Sequence, residues 1–329
     1  MNSEPLRLGS RKSPMAVAQS GEVARRITEL TGRQVEIVGV TTLGDVSREQ
    51  LTQIGGTGVF VSALREALLS GEVDFAVHSL KDLPTGAAPG ITLAALPARD
   101  DPRDALVARD GAKLADLPSG ARIGTGSPRR AAQLTLLRSD ITCLPIRGNA
   151  NTRVAKVREG EFDAVLLAYA GLARIGQTDR VSEIFEPDAM VPAPGQGALA
   201  VECRSDNAEL AQLLATVNHA PTRAAVTAER SLLAALEAGC SAPVGAYAVQ
   251  AGKDRLHLEA VVLGVPAATF PHAALDSAPV SGTMVIRERG EADAADAAGL
   301  GRELAARMLA LGAAGLMRGQ NTDGNDGHD

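Results

Sequence analysis

An internal repeat places the tightest constraint on how this 329-residue chain can fold. The segment Arg7–Pro14 returns as Arg122–Pro128, one residue shorter, and each copy is followed by an Ala-Gln pair at the same spacing. Further along, Gly71–Val77 returns as Gly160–Leu166. Because both pairs of similar segments occur in the same order, the repeat indicates a duplicated structural unit and argues against chance similarity of short Gly/Ser loops.

Each copy alternates apolar runs with helical patterns, as a doubly wound α/β unit does. Val35–Val40 and Ile141–Ile146 are the predicted second strands of the two copies, and Phe75–His78 and Ala164–Ala168 are predicted to be buried parallel strands. The predicted crossover helices are Gly58–Leu69 and Thr152–Glu159. Short connections between these elements predict two doubly wound domains. The polar segment Asp100–Asp104, which contains a proline, is the expected boundary between them.

One more strand and helix follow the second copy, and the pattern changes from Pro221. A strand at Ala198–Glu202 and a helix capped by Ser205 or Asp206 form a segment that could return to the first domain. From Pro221 onward the predicted elements are a helix at Ala224–Glu237, strands at Val244–Gln250, Leu256–Leu263 and Thr283–Arg287, a loop at Gly264–Pro279, and a helix at about Ala292–Leu311. These elements predict a third, smaller α+β domain. The end, Gly319–Asp329, is expected to be disordered.

The charge distribution indicates a specific anionic ligand. The net charge of −6 disfavours general nucleic-acid binding. Between Gly120 and Arg174, however, nine basic side chains face four acidic ones. A solvated helix face is the simpler interpretation for Arg138 and Arg158. For the other arginines, the position along the chain indicates a ligand site.

Other sequence features exclude several classes of protein. No apolar run approaches the roughly 20 residues of a membrane helix, and the first residues resemble no export signal. The three cysteines lack metal-site spacing and the five histidines are scattered, so we expect neither a disulfide framework nor a metal site. We therefore expect a soluble, cytoplasmic α/β protein.

The two repeated loops are candidate anion sites, because each lies where a strand leads into a helix. Free backbone N–H groups and the positive end of the helix dipole favour an anion there. Ser13 and Ser127 add hydroxyl groups, and Arg11, Arg129 and Arg130 add guanidinium groups that fit a carboxylate or phosphate. The alternative is that the serines only cap ordinary helices.

Two further loops carry candidate site residues. Arg147 and Arg153 flank an Asn-rich loop between a strand and a helix, and helix capping alone does not explain both arginines. Lys81 and Asp82 follow a buried strand, where ligands of open α/β sheets collect. Asp82 could stabilise a cation or handle a proton, or it could merely cap a turn before Leu-Pro.

One cysteine differs from the other two in its surroundings. Cys143 and Cys203 lie in or at the end of predicted strands, where burial as small apolar side chains is expected. Cys240 lies in a Gly-Cys-Ser-Ala-Pro break after a helix, which is the setting of an accessible and nucleophilic thiol.

Together these motifs resemble the porphobilinogen deaminase family, from Leu6 to about Ala313. The matching motifs are Leu8–Pro14, Gly55–Phe60, His78–Pro84, Gly124–Arg130, Arg147–Arg153, Pro194–Arg204 and Gly239–Gly245. The resemblance implies two doubly wound domains like those of periplasmic binding proteins and a smaller α+β C-terminal domain. The implied boundaries are 1–98 with 199–218 for domain 1, 99–198 for domain 2, 219–313 for domain 3, and a disordered tail at 314–329.

The resemblance also implies a reaction. Such a transferase (EC 2.5.1.61) condenses four porphobilinogens head to tail with release of ammonia, and water then frees linear hydroxymethylbilane for haem synthesis. The chain grows on a dipyrromethane cofactor attached to the cysteine that matches Cys240. The carboxylate matching Asp82 faces the pyrrole nitrogens and stabilises the azafulvene cation. Implied cofactor and substrate contacts are Arg11, Ser13, Ser79, Lys81, Thr125, Ser127, Arg129, Arg130, Arg147, Arg153, Arg174 and Gln196.

The family further implies a monomer that hands its product to uroporphyrinogen-III synthase, with no metal, nucleic acid or membrane involved. Gln53 and Thr57 replace lysines found in many relatives, and Gly126 and Pro128 replace serine and leucine in the second anion loop. The glycines within Gln53–Phe60 predict a mobile flap. The competing interpretation is a non-catalytic, two-lobed anion-binding protein, which has no use for a third domain or for Cys240.

Overall fold

The computed structural model describes residues 4–40, 58–239, 242–264 and 284–318. The elements of the first half are β1 (Leu6–Ser10), α1 (Pro14–Thr31), β2 (Val35–Gly39), α2 (Gly58–Leu69), β3 (Phe75–Ser79), β4 (Ile91–Ala95), β5 (Asp104–Ala108), β6 (Arg122–Gly124), α3 (Pro128–Leu137), β7 (Thr142–Leu144), α4 (Ala150–Arg158) and β8 (Ala164–Ala168). Those of the second half are α5 (Tyr169–Arg174), β9 (Glu183–Phe185), β10 (Leu199–Arg204), α6 (Ala208–Leu214), α7 (Ala220–Ala235), β11 (Val244–Gln250), β12 (Arg255–Leu263), β13 (Val285–Asp293), α8 (Ala297–Ala310) and α9 (Ala313–Arg318).

The chain forms two compact units. The first comprises residues 1–101 and 195–224, and the second comprises residues 102–194 and 225–329. The sheet of the first unit has the strand order β2-β1-β3-β10-β4. Strand β1 runs parallel to β2 and β3, whereas β10 is antiparallel to both of its neighbours. The strand predicted after residue 198 thus lies inside the sheet formed by the first hundred residues.

The second unit repeats this sheet strand for strand. Its order is β7-β6-β8-β5-β9, and β5 takes the antiparallel position that β10 takes in the first unit. An equivalent ion pair joins the repeated segments in each copy, Arg7 with Asp74 at 2.7 Å and Arg122 with Asp163 at 3.7 Å. The duplication predicted from the sequence and the mixed α/β class are therefore confirmed.

A three-stranded antiparallel sheet, β11-β12-β13, completes the second unit. Helix α8 buries one face against this sheet, with Leu300, Leu304 and Met308 at most 2% exposed. Val261 and Leu263 of β12 pack against Val191 and against Ala132 of α3, so the three-stranded sheet makes an apolar contact with this helix of the same unit. The sequence predicts three domains, whereas the contacts divide the chain into two compact units, so the predicted domain boundaries stay a prediction.

Two details of the sequence interpretation were wrong. Asn207, and neither Ser205 nor Asp206, caps α6, because its side-chain oxygen accepts a hydrogen bond from the Leu210 amide at 3.0 Å. Residues 292 and 293 belong to β13 rather than to the last helix, which begins at Ala297. The strand continues there because β12 offers a pairing partner at every position, ending at Arg255 opposite Asp293. The predicted loop after Gly264 and the predicted disordered end lie outside the described residues.

Within the described ranges, no helix combines the length and the apolar character needed to cross a membrane.

A buried ionic cluster joins three elements of the first unit. Arg65 of α2 donates to both carboxylate oxygens of Glu202 on β10, at 2.6 and 3.0 Å. His78 of β3 places its Nε2 atom 3.2 Å from the same carboxylate, a polar contact that does not have the geometry of a hydrogen bond. Burial by itself raises the pKa of Glu202, but the contacts from His78 and Arg65 outweigh burial and lower the pKa to about 2. The folded state therefore holds the ionised form of Glu202 more tightly than the unfolded state does.

This lowered pKa predicts an acid-dependent part of the stability. A carboxyl whose pKa falls on folding stabilises the protein above its unfolded pKa of roughly 4.3, and this contribution is lost as the pH falls through the folded value. We expect the free-energy difference of unfolding between wild type and Glu202→Gln to shrink by about 2 kcal/mol between pH 6 and pH 3. Urea unfolding at both pH values measures it. An unchanged difference would contradict the assigned pKa.

Candidate active site

Asp82 lies in a turn that is fixed on both sides by backbone contacts. The turn Leu80–Asp82 follows β3 directly, and the Leu80 amide donates to Ala198 at 2.9 Å. The Leu83 amide closes the turn on the Leu80 carbonyl at 3.1 Å. Asp82 is half-buried. Among the described residues its carboxylate makes no hydrogen bond or ion pair, so the backbone of the turn is fixed while the carboxylate itself is not used for folding.

The neighbours of Asp82 are held by side-chain contacts. Lys81 reaches the buried Gln196 at 3.4 Å, and the Gln196 carbonyl accepts from Arg99 at 2.8 Å. Ser79 accepts a hydrogen bond from Gln19 of α1 at 3.0 Å. Gln19 belongs to the first copy of the repeated Ala-Gln pair, whose role is thus to fix the end of β3. Roles of Lys81, Ser79 and Gln196 towards a ligand stay predictions.

The first anion loop contains a helix cap. The Ser13 hydroxyl accepts from the Ala16 amide at 3.3 Å, and Pro14 occupies the first turn of α1. The simpler interpretation of Ser13 is therefore present in the structure, and a contact to a ligand would come in addition to it. Arg11 is half-buried beside this loop.

The second anion loop repeats this cap. The Ser127 hydroxyl accepts from the Arg130 amide at 3.4 Å, and the Ser127 amide donates to the hydroxyl of the buried Thr125 at 3.2 Å. The next two residues differ from the first copy, because Arg129 and Arg130 are only 3% and 7% exposed. Their guanidinium groups lie inside the second unit rather than in solvent.

One carboxylate holds both buried arginines. Arg129 lies 2.8 Å from one oxygen of Asp104, and Arg130 donates to the other oxygen at 2.7 and 3.0 Å. Arg129 also donates to the Val191 carbonyl and Arg130 to the Leu166 carbonyl. Sequence reasoning missed Asp104, which it placed in a polar boundary segment. The available signal was a charged residue at the start of a strand that is otherwise wholly apolar.

The cluster carries one more positive charge than its counter-ion balances. Burial lowers the pKa of Arg129, Asp104 opposes this shift, and Arg130 lowers the pKa further. Among the described residues, Asp104 is the only ion-pair partner of the two arginines. The buried Nε of Arg129 makes no hydrogen bond within the described part of the chain. A surplus charge and an unused donor are what a site for a carboxylate-bearing group requires, so these residues fit such a ligand.

The loop between β7 and α4 adds further cationic side chains. Arg153 is half-buried and donates to the Gly148 carbonyl at 2.8 Å, and burial followed by repulsion from Arg130 lowers its pKa. Arg147 is exposed and has no ion pair among the described residues. Asn149 caps α4 through the Thr152 amide at 2.9 Å. The lowered pKa of Arg153 indicates that its guanidinium group lies close enough to Arg130 of the buried cluster to be repelled by it. Arg174, in the last turn of α5, is half-buried.

Two of the three cysteines are buried. Burial raises the pKa of Cys143 to about 12 and also raises the pKa of Cys203. Their thiols are therefore protonated and inert at neutral pH, as the strand positions predict. Cys240, with the predicted role of cofactor attachment, and the predicted flap residues Gln53 and Thr57 lie outside the described residues.

Comparison with known proteins identifies relatives along nearly the whole chain. Residues 6–212 match the family model described as porphobilinogen deaminase, dipyromethane cofactor binding domain, and residues 223–269 match porphobilinogen deaminase, C-terminal domain. The chain is 57% identical over 314 residues to a porphobilinogen deaminase of Thermobifida fusca, and the aligned region covers 95% of this chain and 96% of that protein. A porphobilinogen deaminase 1 of Streptomyces coelicolor is 57% identical over 321 residues, and the aligned region covers 96% of this chain and 98% of that protein.

Solved structures of solute-binding proteins resemble the chain more distantly. A putative methionine-binding lipoprotein of Bacillus subtilis is 13% identical with a TM-score of 0.41, covering 67% of this chain and 92% of that one. A periplasmic substrate-binding protein of Coxiella burnetii is 16% identical with a TM-score of 0.40, covering 64% and 91%. At these scores the likeness adds nothing to the strand orders described above.

The shared counter-ion predicts a large cost for removing its charge. Asp104→Asn keeps the shape of the side chain but leaves two buried guanidinium groups without a counter-ion. We expect a loss of about 3–5 kcal/mol in the free energy of unfolding. Urea unfolding at pH 7 measures this loss. Asp179→Asn, which removes the exposed ion pair with Arg180 in the same unit, is the control and should cost less than about 1 kcal/mol. Equal losses in the two variants would refute the buried-cluster account.

Proposed function

The chain belongs to the porphobilinogen deaminase family, and we propose that it joins four porphobilinogens head to tail into hydroxymethylbilane, the reaction of EC 2.5.1.61. It is a transferase of porphyrin synthesis that works with a dipyrromethane cofactor. The observation that carries the proposal is the surplus positive charge of the buried arginine cluster. Each pyrrole unit brings two carboxylates, and buried guanidinium groups without a full set of counter-ions are suited to bind them.

In this proposal Asp82 stabilises the cation formed from the substrate. The carbon–nitrogen bond of the protonated aminomethyl group breaks, ammonia leaves with the bonding electrons, and the positive charge stays on the substrate and spreads over the pyrrole ring. A carboxylate carried on a turn whose backbone is already fixed needs little reorganisation to stabilise this charge. Its lack of a partner among the described residues supports this role.

The residues of the second unit hold carboxylates in this proposal. When bound, the dipyrromethane supplies the pyrrole carbon to which the first substrate is joined. Arg129 and Arg130 would bind its acetate and propionate groups from inside the unit, and Arg147 and Arg153 from the loop before α4. The remaining proposed contacts are Arg11, Ser13, Ser79, Lys81, Thr125, Ser127, Arg174 and Gln196.

Cys240 is the proposed attachment point of the cofactor. The raised pKa values of Cys143 and Cys203 support this assignment, because neither thiol forms the thiolate that a thioether bond requires. The segment around Cys240 connects α7 with β11, both of which belong to the second unit from residue 225 onward.

The wider setting follows from the family. We propose a cytoplasmic monomer with three domains, whose product passes to uroporphyrinogen-III synthase. A non-catalytic anion-binding protein would also explain the arginines, but it would not explain a match to both family models.

The attachment residue predicts a mass difference. Cys240→Ser should lack the two-pyrrole adduct and have no activity, because a serine hydroxyl is the poorer nucleophile. Cys143→Ser and Cys203→Ser are the controls and should keep the adduct, with a stability cost of about 1–3 kcal/mol for burying a hydroxyl. Intact-mass measurement after denaturation shows which of the three variants carries the adduct. An adduct that survives in Cys240→Ser would refute the assignment.

The catalytic carboxylate predicts a separation of binding from turnover. Asp82→Asn should fold and carry the cofactor but lose at least about tenfold in kcat, equivalent to about 1.4 kcal/mol of transition-state stabilisation. The exposed Asp254, in the second unit, provides the matched control Asp254→Asn, which should leave kcat unchanged. If Asp82→Asn keeps a turnover within about threefold of wild type, the catalytic role is wrong.

A further inference from the structure

The Arg65–Glu202–His78 cluster lies next to the strand that carries the proposed catalytic aspartate. His78 is the fourth residue of β3, and Asp82 closes the turn that follows this strand. We propose that Glu202 and His78 are positioning residues, which fix the end of β3 and thereby the place of Asp82 during catalysis. This inference rests on the proposed function of Asp82.

The end of β3 is held from both faces of the sheet. Successive strand residues point to opposite faces, so His78 and Ser79 project in opposite directions. Ser79 is bound by Gln19 of α1, and His78 contacts Glu202, which Arg65 of α2 holds in a two-pronged ion pair. The last two residues of the strand are thus anchored to different helices before the chain turns towards Asp82.

The duplicated sheet shows that this fold does not need the cluster. Strand pairing places Glu202 opposite Ala76 in the first unit, and Val107 opposite Val165 at the equivalent place in the second. By the same equivalence His78 corresponds to Leu167 and Arg65 to Val154. The second copy has the apolar residues Val107, Val154 and Leu167 at these positions, and Val107 and Leu167 are buried, so the ionic cluster is particular to the copy that carries Asp82.

The free-energy cost of burying the Arg65–Glu202–His78 cluster indicates that the cluster has a role other than stabilising the fold. The free-energy cost of desolvating buried charges offsets most of their mutual attraction, so proteins with apolar replacements of similar size are often equally stable. The two hydrogen bonds from Arg65 to Glu202 are directional, whereas apolar contacts are not. A directional cluster at the end of β3 therefore provides positional precision, which a reaction that depends on a placed carboxylate requires.

A pair of substitutions at His78 tests the proposal. His78→Gln can place an amide nitrogen near the position of the imidazole Nε2 and so keep the contact with Glu202, whereas the shorter His78→Asn cannot. We expect kcat of cofactor-loaded enzyme to fall by about tenfold in His78→Asn and to stay within about twofold in His78→Gln. KM for porphobilinogen should change little in both variants. His78→Asn leaves the Arg65–Glu202 pair in place, so this test does not depend on whether Glu202→Gln folds.

A triple variant separates positioning from stability. Replacing the cluster by the residues of the second copy (Arg65→Val, His78→Leu and Glu202→Val) should give a folded protein that carries the cofactor but has a kcat reduced by about tenfold or more. The control is Asp74→Asn, which breaks the ion pair with Arg7 just before the start of β3 and should lower Tm without changing kcat.

The outcomes separate this inference from the proposed function. A kcat within twofold of wild type in both His78→Asn and the triple variant overturns the positioning role. Equal damage in His78→Asn and His78→Gln also overturns it, because the contact with Glu202 would not matter. If Asp82→Asn itself keeps its turnover, the catalytic role of Asp82 fails, and the positioning role that rests on it fails too. If Asp82→Asn loses turnover and His78→Asn does not, only the positioning role fails.

Discussion

The shared carboxylate of Asp104 is the interaction on which the chemistry of the second unit depends. It neutralises one of two buried guanidinium groups and orients both, so the unit can fold around a positive charge that solvent does not screen. Without the carboxylate the cluster would be too costly to bury, and with a second carboxylate it would have no charge left for a ligand. The buried Nε of Arg129, which is unused among the described residues, marks the same surplus.

Duplication explains how one scaffold came to hold two kinds of polar site. The two sheets share their strand order, but their buried polar clusters occupy different places. The second copy has Arg129 and Arg130 after the first proline of its helix, where the first copy has Met15 and Ala16. Asp104 pairs with Ala168 at the position where Leu199 pairs with Ser79 in the first copy. Each unit is thus apolar where the other is ionic, and the common fold leaves both sites free to differ.

Much of this architecture could be predicted from the sequence, because it follows from local patterns. The repeat, the buried strands such as Ala164–Ala168, and the two serine caps all depend on neighbouring residues. The pairing of Asp104 with two arginines, and of Glu202 with Arg65 across 137 residues, could not be predicted, since both depend on which strands become neighbours. The arginines were predicted as candidate site residues from the sequence alone, whereas their counter-ion became visible only in the structure.

The central claim is that the chain builds a tetrapyrrole precursor one unit at a time on a covalently bound primer. Intact-protein mass spectrometry after mixing with limiting porphobilinogen tests this claim most directly. The account predicts a ladder of protein masses, with successive steps equal to one porphobilinogen less one ammonia, which disappears as the product is released. A protein that binds porphobilinogen reversibly but keeps a single mass after denaturation would contradict it.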